Sequence, residues 1–272
     1  MPYDHSRKAG NRGDVWKHFV LVALADIIPH GAAGSRPFRY VESHAGAPFH
    51  SLNNNREWRD GVGRIIRSAS NDSPYVDRAR EWLCSQQYPA GWVFVAERLA
   101  RRQFGVETTL FDTSDAVAKR YRPQPDARIP ENVKVGFRHQ DGYSGTEELH
   151  AADADFVFLD PPYQPQDWRR LGKVCRTLGT RRVTFAAWYP LFASGPPQKL
   201  SDSTGCTGWE VVWPKKGSPT NYDIDRMPVQ ELKGCGMLVS DTLSELLPDI
   251  QGGLSAFAAR LGWKFSIRHP LG

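Results

Sequence analysis

The sequence predicts an α/β fold built around one largely parallel sheet. Buried strands are indicated by short runs of apolar and β-branched residues, at 38–42, 106–111, 133–137, 155–159 and 183–188. Segments of helical period lie between several of these runs, at 114–121 and 168–178. Strands that alternate with helices indicate a parallel sheet with right-handed crossovers.

The elements before the second strand are less regular. Apolar residues of helical period run from Gly13 to Ile28, with Asp14 as an acid near the start. The first strand is followed by the small-residue turn 43–47. Residues 53–103 are rich in Arg, Ser, Asn and Trp and show weak helical patterns, for example at 76–83. We therefore expect a single domain over residues 1–272, with a helical subdomain inserted at approximately 53–103.

The last third of the chain adds late strands and helices. Strands are expected at 209–213 and 235–240, and Asp241 is expected to cap a helix that runs to about residue 247. A helical pattern continues at 254–261. Residues 214–228 are rich in Gly, Ser, Pro, Asn and Asp, which is typical of a loop.

The composition is that of a globular protein, with 40% hydrophobic and 24% charged residues among 272. No run approaches the ~18 consecutive apolar residues of a membrane span, and the first residues lack a signal peptide's apolar core. The four cysteines are scattered and the eight histidines lack metal-ligand spacing. We expect a cytoplasmic monomer without metal, disulfide or membrane contact.

The formal net charge of +5 is distributed in clusters. Basic residues lie close together at 98–102, 169–176, 181–182 and 215–216. Such a cluster is commonly a solvated helix face, but the group at 169–176 begins six residues after the motif at 160–163. Its position predicts that it flanks the same cleft and could contact phosphates.

The motif Asp160-Pro161-Pro162-Tyr163 follows the apolar run 156–159. A parallel strand that ends on an acid places a carboxylate at the carboxyl edge of the sheet, where open α/β sheets bind ligands. The prolines fix backbone carbonyls and the tyrosine offers a ring for stacking. Although a polar turn after a core strand is the alternative, this set suits an aromatic amine lying flat and predicts methylation of an amine group.

Other polar residues follow the neighbouring strands. The turn that contains His44 is a candidate cofactor loop, or simply a tight turn. Asp112 could accept the hydroxyls of a ribose, and Asp141-Gly142 could hold an adenine amine. Neither a dinucleotide fingerprint nor a P-loop is present. Acids at successive strand ends fit a nucleoside-type cofactor, and S-adenosylmethionine fits better than NAD.

The sequence resembles the bacterial RlmJ-type 23S ribosomal RNA adenine-N6 methyltransferases over most of its length. The match is carried, in order, by Tyr3-Asp4-His5-Ser6, Ala9-Gly10-Asn11, Asp14-Val15-Trp16-Lys17-His18, Ser43-His44-Ala45-Gly46-Ala47, Tyr88-Pro89, Asp141-Gly142, Leu159-Asp160-Pro161-Pro162-Tyr163, Trp188-Tyr189-Pro190 and Gly236-Met237. Asp-Pro-Pro-Tyr alone is shared by many amino methyltransferases, whereas the opening stretch is specific to this family.

The resemblance implies a Rossmann-like class I S-adenosylmethionine-dependent methyltransferase fold with a small helical insertion after the first strand. It implies that the cofactor site is bordered by His18, His44, Asp141, Gly142 and Asp160. Asp160 matches the family's catalytic aspartate, next to Pro161, Pro162 and Tyr163 of the amine-binding motif. Tyr3 matches a tyrosine near the RNA substrate, which implies ribosomal RNA as the partner.

Three positions depart from the family's pattern. Pro48 replaces a glycine, Leu110 replaces an acid at the end of the second strand, and Gly91 replaces a serine. Asp112 lies two residues after Leu110, on the same side of the strand, and could substitute for that acid.

The expected reaction is transfer of a methyl group to adenine N6, with Asp160 and the Pro161 carbonyl accepting the amine hydrogens. Tyr163 is expected to stack on a flipped or unpaired base. Two alternatives stay open at this point: a DNA adenine methyltransferase, and an RNA-binding homologue without catalysis.

Overall fold

The computed structural model describes residues 8–28, 36–53, 57–67, 73–122, 126–150, 152–163, 167–192, 200, 204–214, 221–222 and 230–270. Tyr3 lies outside these ranges. The helices are α1 Arg12–Ile27, α2 Val62–Arg67, α3 Pro74–Cys84, α4 Gly91–Arg101, α5 Asp115–Tyr121, α6 Gly142–Glu147, α7 Asp167–Thr180, α8 Asp241–Ser244 and α9 Leu247–Arg260. The strands are β1 Phe38–Glu42, β2 Phe49–Ser51, β3 Gln87–Pro89, β4 Val106–Asp112, β5 Val133–His139, β6 Phe156–Leu159, β7 Phe185–Phe192, β8 Thr207–Val212, β9 Asn221–Tyr222, β10 Gln230–Val239 and β11 Lys264–Arg268.

One large sheet organises the molecule, with strand order β11-β8-β10-β7-β6-β1-β4-β5 and the short β9 on β10. The pairs β5–β4, β4–β1, β1–β6 and β6–β7 are parallel. Strand β10 runs antiparallel to both of its neighbours, and β11 runs antiparallel to β8. The predicted, largely parallel sheet is therefore confirmed, and the antiparallel pairs are confined to the carboxyl-terminal half.

The strand order reverses at β1. This strand pairs with β4 on one side, where Glu42 faces Leu110, and with β6 on the other, where Glu42 faces Phe158. After β5 the chain crosses back over β1 to form β6. In open α/β sheets such a reversal is where a crevice forms at the carboxyl ends of the strands and where ligands bind. Asp160 follows β6 and therefore lies at this crevice.

Helix α1 is buried on nearly every side. It contacts α4, α3 and β10, so it is enclosed between the sheet and the segment that follows β2. That segment contains α2, α3, β3 and α4, and β3 pairs antiparallel with β2 in a separate two-stranded sheet. Helices are thus present where the sequence predicted an insertion, but α4 also contacts β4. The limits of a separate subdomain stay a prediction.

Two successive side chains of strand β7 make contacts on opposite faces of the sheet. The ring of Trp188 lies against Tyr163 on the side of the crevice. The next residue, Tyr189, points to the opposite side. There its hydroxyl donates to Glu210 at 2.7 Å, and Arg268 pairs with the same carboxylate. These bonds tie β7 to β8 and β11.

Several local predictions differ from the structure. Ser240, and not Asp241, occupies the N-cap position of α8. The predicted loop 214–228 lies mostly outside the described residues, but Asn221–Tyr222 forms β9. Helix α6 begins at Gly142, and its glycine and serine content gave no helical signal.

Candidate active site

Asp160 lies at the start of the loop after β6, with its side chain 18% exposed. The Nζ atom of Lys17 donates to its Oδ2 atom at 2.7 Å. Within the described part of the chain, the Oδ1 atom is left to accept a further hydrogen bond. The carboxylate is therefore fixed on one side and available on the other, which is the arrangement expected of a group that holds a substrate amine.

Lys17 occupies the centre of a buried ion cluster. Its ammonium lies 2.8 Å from Oδ1 of Asp14 and 5.9 Å from the ring centre of Trp188. Burial opposes its charge, but the carboxylates of Asp14 and Asp160 outweigh this and raise the pKa of Lys17 above its usual range. Asp14 also accepts the backbone N–H of Gly10 at 2.9 Å. The cluster thus connects the first turn of α1 to Asp160.

Sequence reasoning gave Lys17 no role of its own. A signal was nevertheless present, because Asp14 and Lys17 stand three residues apart just before the apolar run 19–25 of the same helix. Charged side chains are rarely buried unless they are paired. The partner on β6 could not be found from spacing, since it lies 143 residues further along the chain.

Glu42 is a second acid that the sequence did not single out. It ends β1 and is 2% exposed. The hydroxyl of Tyr40 and the backbone N–H of Trp92 donate to its carboxylate. Burial, reinforced by the charge of Asp160, raises the pKa of Glu42 to about 8. The carboxyl group is therefore mostly protonated at neutral pH.

The loop after β1 is held by backbone and side-chain hydrogen bonds. Ser43 N–H donates to the Phe158 carbonyl at 3.0 Å, and Ala45 N–H donates to the Phe111 carbonyl at 2.9 Å. The Gly46 carbonyl accepts from the hydroxyl of Tyr121 at 2.9 Å. Gly46 has a left-handed φ of +61°, and a Cβ built on it would meet nothing within 4 Å. The loop thus presents bare backbone to open space, as a cofactor cradle requires.

Asp112 supports this loop. Its Oδ2 atom accepts the N–H of Gly46 at 3.1 Å, and its Oδ1 atom accepts the N–H of Ser114 at 2.8 Å. Each carboxylate oxygen is therefore already engaged with backbone. Leu110 is fully buried two residues earlier. A ribose contact by Asp112 would have to use the remaining lone pairs of these oxygens.

The loops after β1 and β5 meet at Gly142. A Cβ built on Gly142 would lie 1.5 Å from the carbonyl oxygen of Ser43, so only glycine allows this approach. Asp141 caps α6 by accepting the N–H of Ser144 at 2.9 Å. Although burial opposes ionisation, Ser144 and Arg170 hold the pKa of Asp141 below its usual range. The predicted pair Asp141-Gly142 lies beside the candidate cofactor loop.

Replacing Gly142 with alanine is expected to destabilise the protein, because the new methyl group must displace the Ser43 carbonyl. Overpacking of this kind costs about 1–3 kcal/mol of unfolding free energy. Gly253, in α9, is the matched control because a Cβ there meets nothing within 4 Å. Gly253→Ala should be neutral or stabilising by up to ~1 kcal/mol. Denaturant unfolding of both variants tests this, and equal stabilities would contradict it.

His44 lies partly buried in the same loop. Its Nδ1 atom is 2.7 Å from the hydroxyl of Ser43, and its ring meets that of Tyr143 edge-on at 4.9 Å. Burial, together with the nearby charge of Arg170, lowers the pKa of His44 to about 4, although Asp141 opposes the shift. The imidazole is therefore neutral at pH 7.

His18 is placed differently. It is 1% exposed, its Nδ1 atom is 2.9 Å from the hydroxyl of Tyr88, and its ring packs on Tyr88 and Phe94. Tyr88 in turn hydrogen-bonds to Tyr75. These contacts are those of a core histidine, and the cofactor contact implied by the resemblance stays a proposal.

Tyr163 does not offer the open stacking face that the motif predicted. Its ring is 2% exposed and lies 4.9 Å from Trp168 and 5.3 Å from Trp188. Its φ of +58° is in the left-handed region, and its hydroxyl has no hydrogen-bond partner in the described part of the chain. Pro161 directly follows Asp160 in the chain, as the motif requires. Pro162 lies between Pro161 and Tyr163. Stacking of Tyr163 on a base would require the ring to move.

The basic group on α7 is partly used within the protein. Arg170 pairs with Asp141 and lies over the ring of Tyr143 at 4.3 Å. Lys173 pairs with Glu147 at 2.9 Å. Arg169 on the same helix is exposed, and a phosphate contact by this basic group stays a prediction.

The sequence also predicted that the protein has no metal site, no disulfide and no membrane contact. In the ranges that the structure describes, histidine, cysteine and acidic residues form no group of three that could hold a metal ion. Cys84 is exposed, and Cys175, Cys206 and Cys235 are buried. No helix in these same ranges combines the length and apolar character needed to cross a bilayer.

Comparison with known proteins finds two proteins of the same name that are similar to this chain in sequence. A scan against family models gives no match. Ribosomal RNA large subunit methyltransferase J of Haemophilus influenzae is 25% identical over 222 residues, which cover 76% of each chain. Its namesake of Escherichia coli is 25% identical over 228 residues, again 76% of each chain. The resemblance inferred from the sequence is confirmed.

Protein LPL1258 of Legionella pneumophila, a DUF519 protein, has a similar crystal structure. The TM-score is 0.75 at 16% identity, and the match covers 96% of this chain and 98% of that one. This likeness concerns the fold. Together with the strand order, it confirms the predicted Rossmann-like α/β fold with helices after the first strand.

Proposed function

We propose that this protein is an S-adenosylmethionine-dependent methyltransferase that modifies adenine N6 in ribosomal RNA. The observation that carries the proposal is the position of Asp160. Its carboxylate stands at the carboxyl edge of β6, beside the reversal of strand order, with one oxygen held by Lys17. The similarity to two large-subunit ribosomal RNA methyltransferases supports RNA as the substrate.

The residues at the sheet edge fit the cofactor. The bare backbone at Gly46, the neutral His44 and the acid Asp141 surround one crevice, and Gly142 lets its two loops close together. S-adenosylmethionine would supply the methyl group on a sulfonium. We assign its binding to these residues, and we add Glu42, which shares the end of β1 with them.

The chain's own contribution to the reaction is to hold the amine. Oδ1 of Asp160 and the carbonyl of Pro161 would accept the two N6 hydrogens, which favours a pyramidal nitrogen and an available lone pair. The carboxylate also stabilises the positive charge that develops on this nitrogen. Lys17 keeps Asp160 in one orientation, so the amine meets a preformed acceptor. The proton can leave after transfer, and Asp160 need not be a strong base.

Transfer of labelled methyl groups tests the proposal. Protein-free ribosomal RNA from cells that lack this protein should accept label, and nuclease digestion with mass mapping should identify it as N6-methyladenine. Duplex DNA should accept little. Preference for DNA would favour a DNA adenine methyltransferase. An absence of cofactor binding in calorimetry would favour an RNA-binding protein without catalysis, which the buried Leu110 and the engaged Asp112 also allow.

A further inference from the structure

The turn after β1 is anchored on both sides of Gly46. The N–H of Gly46 donates to Oδ2 of Asp112 at 3.1 Å, and its carbonyl accepts from the hydroxyl of Tyr121 at 2.9 Å. Gly46 has a φ of +61°, in a region that glycine enters about as readily as the negative-φ regions. Because glycine has no side chain that could pack, these two hydrogen bonds take the place of packing in fixing its conformation.

The hydroxyl of Tyr121 has only one orientation that satisfies its neighbours. The indole Nε1–H of Trp92, 3.0 Å away, can only donate, whereas the Gly46 carbonyl can only accept. Tyr121 therefore accepts from Trp92 and directs its own proton to Gly46. Linked hydrogen bonds of this kind polarise and strengthen each other. They connect the turn to α4, in which Trp92 is 1% exposed.

The ring of Tyr121 is held independently of its hydroxyl. Tyr121 is the last residue of α5, and its ring stacks on Phe137 of β5 with 4.4 Å between the ring centres and 9° between the ring planes. The ring of Trp92 lies 6.2 Å away on the side of α4. Three elements thus place the hydroxyl before any ligand is present. Removal of the oxygen alone leaves the stacked ring in position, so the contribution of the hydroxyl can be measured separately.

A turn that is ordered in advance favours ligand binding, because the ligand does not have to order it. Without the hydroxyl of Tyr121, Gly46 samples further conformations, and the apparent affinity falls with the fraction of molecules in the competent one. We propose that Tyr121 is a positioning residue that holds the turn at Gly46 in the form that binds the cofactor. It acts on cofactor affinity and not on methyl transfer itself. This rests on the proposed function, which assigns the cofactor to this turn.

Tyr121→Phe is the direct test, because it removes the hydroxyl and keeps the ring. Loss of one hydrogen bond should raise the Kd for S-adenosylmethionine about 2- to 10-fold, measured by calorimetry on the full-length protein. In methyl transfer to ribosomal RNA, the KM for the cofactor should rise by the same factor. The kcat should stay unchanged, because a saturating cofactor restores the competent turn.

Tyr189→Phe is the matched control. It removes a buried hydroxyl that donates to Glu210 at 2.7 Å on the opposite side of the sheet. This variant should have a lower melting temperature than the wild type and an unchanged Kd for S-adenosylmethionine. If Tyr121→Phe and Tyr189→Phe weaken binding equally, the effect is one of general stability and the proposal is overturned.

Hydrogen exchange monitors the turn without a cofactor. In the ligand-free wild type the N–H groups of Ala45 and Gly46 are bonded to acceptors of β4, so they should exchange slowly. They should exchange faster in Tyr121→Phe, and S-adenosylhomocysteine should restore their protection. Tyr189→Phe should leave them unchanged. If Tyr121→Phe does not fold, unprotected exchange of these groups in the ligand-free wild type would still overturn the proposal.

The outcomes also separate this inference from the proposed function. Equal cofactor affinity of the wild type and Tyr121→Phe would overturn the inference alone. A lower kcat of Tyr121→Phe with an unchanged KM for the cofactor would do the same. A wild type that binds neither S-adenosylmethionine nor S-adenosylhomocysteine would contradict the proposed function itself.

Discussion

Asp160→Asn is expected to lower the rate of methyl transfer by about 10²–10³-fold while the protein stays folded. The substitution keeps the shape of the side chain but removes the negative charge that faces the amine. Loss of one such electrostatic contact typically lowers the rate by about 10²–10³-fold. Lys17 retains Asp14 at 2.8 Å, so the buried ammonium keeps a partner. Single-turnover transfer to ribosomal RNA measures the effect, and calorimetry checks cofactor binding.

Asp155→Asn is the matched control, because Asp155 stands just before β6 and Asp160 just after it. Asp155 pairs with Arg36 at 2.6 Å and with Arg39 at 3.4 Å, at the end of the strand away from the crevice. Its replacement should reduce stability and leave the transfer rate of the folded protein unchanged. Full turnover by Asp160→Asn would show that this carboxylate does not hold the amine.

Lys17→Met should be the most destabilising single change at the crevice. It leaves two carboxylates, on Asp14 and Asp160, without their shared cation. Breaking a buried ion pair by removing one partner costs about 3–5 kcal/mol of unfolding free energy. Adding Asp14→Asn should restore part of this loss, since it removes one of the uncompensated charges. Denaturant unfolding of the single and double variants provides the measurement.

The comparison for Lys17→Met is Lys173→Met on α7. Lys173 pairs with Glu147 at 2.9 Å, but its side chain is 66% exposed. Exposed pairs contribute about 0–1 kcal/mol, so this variant should be nearly as stable as the wild type. If the two lysine variants lose equal stability, burial of the ion cluster is not what makes Lys17 important.

The sequence predicted those elements whose pattern of apolar and polar residues matches their place in the fold. Strand β1 matches its predicted bounds, and it is largely buried between neighbouring strands of the sheet although it contains Arg39 and Glu42. Asp160 was placed correctly at the sheet edge because it directly follows the apolar strand β6. Gly142 was expected beside an adenine amine, which stays a prediction; its close approach to the Ser43 carbonyl, which leaves no space for a Cβ, was not foreseen.

Features that depend on distant contacts could not be predicted. The ion pair of Lys17 joins the first helix to β6, and the protonation of Glu42 depends on charges from several elements. Asp112 was considered as a ribose contact because it ends a strand; that contact stays a prediction, and the sequence did not show that its oxygens also accept backbone N–H groups of two loops. The ring of Tyr163 was expected to be open, and two tryptophans from α7 and β7 cover it.

The contact between Gly142 and the Ser43 carbonyl has a consequence for engineering. Two loops that touch through their backbones behave as one part, because a change of length or path in either displaces the other. Grafting the loop after β1 from a relative should therefore fail when it is transferred alone and succeed when the loop after β5 accompanies it. Any redesign of this cofactor crevice has to treat the two loops as a single unit.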